Sequence, residues 1–362
     1  MAARDFSFAT FGTAKGRGSN RAAWSPSVSR SPAATWRSRA DGVSLRICLG
    51  ASTLFCATTL LLGGPAVGGE PGQFRLGFSS STFGEANEND AMAAVKIWSK
   101  TLAEICHLSL DPRPQILNGP TEIAQALRDR SLEAIHLTAD EYWILRGQLA
   151  PDRCILGIQN ESSTEEYVLL VRQDSGMANT GDLRGRSLAI YESPRTRLAP
   201  IWLGTLLLKE KRGRTADYCG PLTSFKKLTL AVLPVFFRKV EACLVTRRGF
   251  ETMVELNPQV GRDLKVIATS PALVPFLFAF RADYNSPVRD DVPAQLNAWH
   301  ATTAGRQLLT MFQCDRVEAQ PLSVLTDTMK LMDEHVRLRG ATNRVDAAVP
   351  TRTPGATEAE GT

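Results

Sequence analysis

Three runs of hydroxyl-bearing residues have the placement expected of an anion pocket: Ser79-Ser80-Ser81-Thr82, Thr138, and Ser193-Pro194-Arg195-Thr196. Each follows a short apolar run and precedes a stretch of helical periodicity, so each is read as a loop joining a strand to a helix. In open α/β sheets such loops lie past the carboxyl ends of the strands, where ligands bind. The first turn of the following helix offers unpaired N–H groups and the positive end of a dipole, and hydroxyls add donors without a fixed charge. Ser and Thr are equally the preferred caps of helices that bind nothing, and Pro194 after Ser193 suits a first helical turn, so capping is the competing account of every loop. Arg195 and Arg197 would strengthen an anion site if they face it, and would be solvated if they do not. Tyr142, Trp143, Tyr191 and Trp202 flank the loops and would either wall a pocket or pack in a core.

Other chemistry finds little footing. The chain contains no G-x-S-x-G, H-E-x-x-H, G-x-x-x-x-G-K-[ST] or G-x-G-x-x-G pattern. His107, His136, His300 and His335 are dispersed at no metal-ligand spacing, and His136 sits in an apolar strand as a core residue would. No pair of carboxylates stands out as acid and base. The expectation is therefore a protein that is not an enzyme and uses no cofactor or metal. Of seven cysteines, Cys48 and Cys56 fall in an N-terminal apolar segment, leaving Cys106, Cys154, Cys219, Cys243 and Cys314. That odd, widely spaced set is neither a zinc framework nor a dense disulfide scaffold, and most are expected to be buried, although one disulfide in an oxidising compartment stays open.

The elements that must position the loops alternate. Phe74 to Phe78 reads as a strand, and Ala91, Ala94, Val95, Trp98, Leu102 and Ile105 mark one face of a helix. A helix over 120–130 leads to the strand Ala134 to Leu137, and a helix carrying Tyr142, Ile144 and Leu145 follows Thr138. The strands 155–158 and 167–172 bracket a polar stretch, 159–166, suited to a crossover. Asp182 to Ile190 is a turn and strand, followed by helices near 201–208 and 231–237, strands at 242–246 and 264–268, and helices over 292–312 and 321–338. Alternating strands and helices argue for mixed sheets covered on both faces. The expected organisation is one lobe from 73–164 plus 265–340 and another from 165–264, with the return crossover near 257–263. About 270 residues suffice for two such lobes.

Charge and hydropathy set the ends apart. Residues 1–42 hold seven basic residues against two acids, which accounts for the whole net charge of +5 and leaves no basic face for nucleic acid. That stretch is expected to be disordered or untranslated, with Val43 as an alternative start. Residues 43–68 carry Arg46, an apolar run from Ile47 to Leu62 and then small residues. The run is shorter than the roughly 20 residues of a membrane span, so a cleaved secretory signal and a periplasmic protein are expected, with an uncleaved N-terminal anchor as the alternative. Residues 341–362 show no periodicity and are expected to be a disordered tail.

Four stretches together resemble a known family: Ala134-Ile135-His136-Leu137-Thr138-Ala139-Asp140-Glu141-Tyr142, Asp182-Leu183-Arg184-Gly185-Arg186-Ser187-Leu188-Ala189, Val235 to Cys243, and Glu255-Leu256-Asn257-Pro258-Gln259. In order and spacing they are similar to the phosphate, phosphite and phosphonate substrate-binding proteins of ABC transporters, over about residues 74–312. The resemblance implies a type II periplasmic-binding-protein fold, with two α/β lobes, each a mixed sheet covered by helices, and a ligand cleft between them. It further implies capture of a small oxyanion for an ABC permease, or, as the alternative, for a membrane sensor of a signalling system. Carried over by position, it puts the family's Ser/Thr-rich loop on Ser193 and Thr196; together with the loop reading above, the expected ligand-binding residues are Ser80, Ser81, Thr82, Thr138, Tyr142, Ser193, Arg195, Thr196 and Glu241. This chain sets Pro194 and Arg195 between the two second-lobe hydroxyls, and has Glu241 where the family commonly has Asp.

Overall fold

The computed structural model describes residues 74–84, 88–106, 113–311 and 313–348. The expected signal segment, the stretch before it and His107 lie outside the described residues. The chain opens with β1 (Leu76–Ser79), α1 (Glu88–Cys106), β2 (Gln115–Leu117), α2 (Gly119–Arg128), β3 (Ala134–Thr138), α3 (Ala139–Leu145) and β4 (Arg153–Ile158). It then runs through β5 (Tyr167–Arg172), β6 (Leu188–Tyr191), α4 (Leu198–Lys209), α5 (Thr215–Tyr218), β7 (Leu222–Phe225), α6 (Leu228–Phe236), β8 (Ala242–Thr246), α7 (Arg247–Leu256), α8 (Pro258–Asp263) and β9 (Leu264–Thr269). The return comprises β10 (Phe276–Phe280), α9 (Val288–Asn297), α10 (Thr303–Met311), β11 (Arg316–Pro321) and α11 (Thr326–Ala348).

These strands form two mixed sheets, in the orders β11-β4-β10-β3-β1-β2 and β7-β6-β8-β5-β9. In the first, β1 runs parallel to β2 and β3, while β10 is antiparallel to β3 and β4. In the second, β6 runs parallel to β7 and β8, while β5 is antiparallel to β8 and β9. The architecture is a two-lobed type II α/β fold. β5 shows why its sequence reads as an unbroken apolar run. Tyr167, Leu169 and Val171 face the core shared by both lobes, while Val168 and Leu170 face a second-lobe core with Val232, Val235 and Val260. A strand covered on both faces loses the polar alternation of a half-exposed one.

Three expectations are corrected. The segment 264–269 is β9, which pairs with β5 in the second sheet, so the return to the first lobe falls at 270–275 rather than at 257–263. The polar residues read there as a crossover form α8, whose Asn257 side chain accepts a hydrogen bond from the Gln259 N–H at 3.1 Å. The C-terminal helix is not simply part of the first lobe. On the α4 side Lys209 Nζ lies 2.6 Å from Glu334 and Thr205 Oγ1 2.9 Å from His335 Nδ1, while on the α3 side Trp143 Nε1 donates to Asp333 at 2.7 Å. It also runs on to Ala348, into the stretch expected to be disordered.

Among the described residues no helix is long and apolar enough to cross a membrane. Cys154, Cys219, Cys243 and Cys314 are buried and unbridged, and burial raises each thiol pKa, to about 12 for Cys154 and about 11 for Cys314.

Candidate functional site

The carboxyl ends of β1, β3 and β6 carry the three hydroxyl loops to the face between the lobes. Ser79 ends β1 and caps a 3-10 turn, Ser80–Thr82. Thr138 ends β3 and caps α3. Ser193 caps a second 3-10 turn, Pro194–Thr196, which runs into α4. The first and third loops meet across the cleft. Gly84 has φ +63°, and a Cβ built on it would lie 3.1 Å from the Pro194 ring. A side chain there would be strained in backbone and crowded at once.

Four donors converge on one side chain, Glu141, which is 2% exposed. Ser79 Oγ and Ser81 Oγ donate to Oε1 at 2.8 and 2.9 Å. Thr138 N and Oγ1 donate to Oε2 at 3.1 and 2.9 Å. The Oε2 half belongs to a capping box, in which the third helical residue reaches back to its own cap. The Oε1 half reaches across to β1, and capping does not account for it. Thr82 Oγ1 donates to the Ser79 carbonyl at 2.8 Å. On the second lobe the Ser193 N–H donates to Thr196 Oγ1 at 2.8 Å, and Thr196 Oγ1 donates to the Ser193 carbonyl at 3.1 Å.

The arginines bind the lobes to one another. Arg197 reaches Asp140 of α3 through Nη2 at 2.8 Å and Nε at 3.3 Å. Burial pushes the Asp140 carboxyl up, and the hydrogen bonds and charge of Arg197 outweigh it, leaving the pKa below its ordinary value. Arg195 donates to Glu165 Oε1 at 3.0 Å and to the Gln313 carbonyl at 3.1 Å, with its guanidinium 5.0 Å from the centre of the Phe276 ring. Phe276 stands opposite Thr138 in the β10–β3 ladder. Beside it His136 packs against Phe276 and Phe278, with ring centres 5.4 and 4.5 Å apart. Desolvation, aided by the charge of Arg195, pushes the His136 pKa down to about 3, so the imidazole is neutral at ordinary pH and is a core residue, not a base.

The structure thus brings Ser80, Ser81, Thr82, Thr138, Ser193, Arg195 and Thr196 to one region and excludes two other expected residues. Tyr142 is 4% exposed and packs in the core with Leu145 and Cys154, because it lies on the inner face of α3 and not on its cleft end. Glu241 precedes β8, where it accepts from Ser187 N at 2.9 Å and from the Ser187 hydroxyl. Since β6 and β8 are parallel, Ser187 and Glu241 both sit at the amino ends, opposite the cleft. Trp202 is buried in the core and Trp143 is partly exposed under Arg146, so neither walls the cleft. Residue spacing left Glu141, Asp140, Glu165 and Phe276 without a role. Only Glu141 had a readable signal, the Thr-x-x-Glu pattern of a capping box. Among the described residues no group of three His, Cys, Asp or Glu side chains could hold a metal ion.

Comparison with known proteins agrees with this fold. The model of a family described as ABC transporter, phosphonate, periplasmic substrate-binding protein matches residues 83–323. A search of curated proteins returns no match. Among solved structures, XAC2383 of Xanthomonas citri bound to chloride superposes with a TM-score of 0.55 at 14% identity, covering 74% of this chain and 99% of that one. The same protein bound to ATP gives 0.53 at 15% identity, covering 74% and 98%. A binding protein component of an ABC phosphonate transporter from Pseudomonas aeruginosa gives 0.51 at 14% identity, covering 77% and 91%.

Proposed function

Because the chain belongs to the family of periplasmic substrate-binding proteins of phosphonate ABC transporters, we propose that its cleft captures a small phosphonate- or phosphate-like oxyanion for a membrane permease. Membership makes it an extracytoplasmic solute-binding protein. The particular ligand and the residues that hold it are the proposal. The observation that carries them is the meeting of two hydroxyl loops, one from each lobe, at Gly84 and Pro194. Ser193 on the second lobe and Ser80 on the first are the donors that would face a ligand there. Opening of the lobes about the crossovers at 159–166 and 270–275 would admit it, and closure would replace its hydration. On this reading residues 43–68 are a signal that is removed on export.

A thermal-shift screen against methylphosphonate, inorganic phosphate, phosphite and sulfate tests the reading. A ligand present at about 100 times its Kd adds roughly 2.7 kcal/mol, which for a protein of this size raises Tm by about 4–5 °C. No shift with any of the four anions would overturn it.

A further inference from the structure

We infer that Glu141 is a specificity-determining residue of the cleft, an internal carboxylate that occupies the first lobe's hydroxyl cluster and excludes inorganic phosphate from it. This rests on the oxyanion-binding reading above. An ionised carboxylate has about four lone-pair positions, and Glu141 receives four donors: Ser79 Oγ, Ser81 Oγ, Thr138 Oγ1 and Thr138 N. Its acceptor capacity is full, and the protons of the three hydroxyls are spent. Arg197, the nearby cation, is bound to Asp140. An arriving oxyanion therefore meets a negative charge at this cluster, where only the Ser80 hydroxyl is engaged neither by Glu141 nor by the Ser79 carbonyl.

The consequence differs between ligand classes. Inorganic phosphate presents four oxygens, at least one of them protonated near neutral pH, so on closure it needs an acceptor as well as donors, and the acceptor positions of Glu141 are filled. A phosphonate presents three, with a carbon substituent that needs neither. The remaining first-lobe surface suits such a substituent. Phe276 adjoins Thr138 in the sheet, and the imidazole of His136 beside it is neutral. The phosphonate oxygens then lie toward Ser193 and the substituent toward Phe276.

Calorimetric titration of methylphosphonate and inorganic phosphate into wild type, Glu141→Ala and Glu141→Gln tests this, with thermal unfolding recorded for each protein. Wild type should prefer methylphosphonate by about ten-fold or more, and both variants should gain about ten-fold in phosphate affinity, the worth of one hydrogen bond to a charged group. Ser81→Ala in the wild-type background should leave methylphosphonate affinity unchanged, and in the Glu141→Ala background it should remove the gain. Folded variants with no gain, or a ten-fold loss from Ser81→Ala alone, would overturn the assignment while leaving the cleft reading intact. Binding of neither anion by wild type and both variants would overturn the two together.

Discussion

The Asp140–Arg197 pair offers a quantitative test of how the lobes are held. It joins the first turn of α3 to the start of α4 through two hydrogen bonds, with the Asp140 side chain 16% and the Arg197 side chain 40% exposed. Fully exposed pairs contribute about 0.2–1 kcal/mol, and the half-exposed arginine keeps this one near the top of that range, about 1 kcal/mol, or roughly five-fold in an equilibrium. Asp140 also places a negative charge in the first turn of α3, itself worth about 0.3–1 kcal/mol, so a single substitution would overstate the contact. The cycle Asp140→Asn, Arg197→Gln and the double variant, read by urea midpoints at constant slope, isolates the coupling. The expected coupling is about 1 kcal/mol, shrinking in high salt. Asp140 has a lowered pKa in the folded state, so its contribution is present above the ordinary carboxylate pKa and disappears as pH falls through the lowered value. A coupling within about 0.3 kcal/mol of zero, the usual error of additivity, would refute the pair as an interlobe clasp.

His136 should make stability depend on acid. Its folded pKa is about 3 against an ordinary 6.5, so the unfolded chain binds the extra proton first and stability falls as pH drops from about 6.5 towards 3. His136→Asn should flatten that part of a urea-midpoint profile, and an unchanged slope would contradict the burial argument. Tyr142→Phe and Glu241→Gln should leave methylphosphonate affinity unchanged, since one residue is in the core and the other lies at the far end of β8. A ten-fold loss in either would return that residue to the site. Trp299→Ala should cost about 3–5 kcal/mol in urea unfolding, because its 1%-exposed ring packs against Trp98 in the first-lobe core.

Local pattern made much of the scaffold legible, because it is set by neighbours in sequence. The β5 residues Tyr167 to Arg172 form an apolar run bounded by polar residues, and Thr138 with Glu141 spells a capping box at a helix start. What stayed hidden depends on partners distant along the chain. β10, Phe276–Phe280, lies in the middle of the first sheet, yet its strand character comes from β3 and β4, more than 100 residues earlier. Glu241 looks like a site residue until the parallel pairing of β6 and β8 puts it at the wrong end. Arg195 sits in a hydroxyl loop as an anion-binding arginine would, but Glu165, Phe276 and the Gln313 carbonyl already engage its guanidinium. The hydroxyl loops were visible as loops. That their protons converge on Glu141 was not, because two of the donors come from β1 and its following turn, some 60 residues away.

The most direct test of the cleft as an oxyanion site is calorimetric titration of methylphosphonate into wild type and Ser193→Ala. The account predicts saturable one-site binding by wild type and a loss of about ten-fold or more in the variant, the worth of one hydrogen bond to a charged ligand. No heat of binding in wild type, or equal affinity in a folded Ser193→Ala protein, would contradict it.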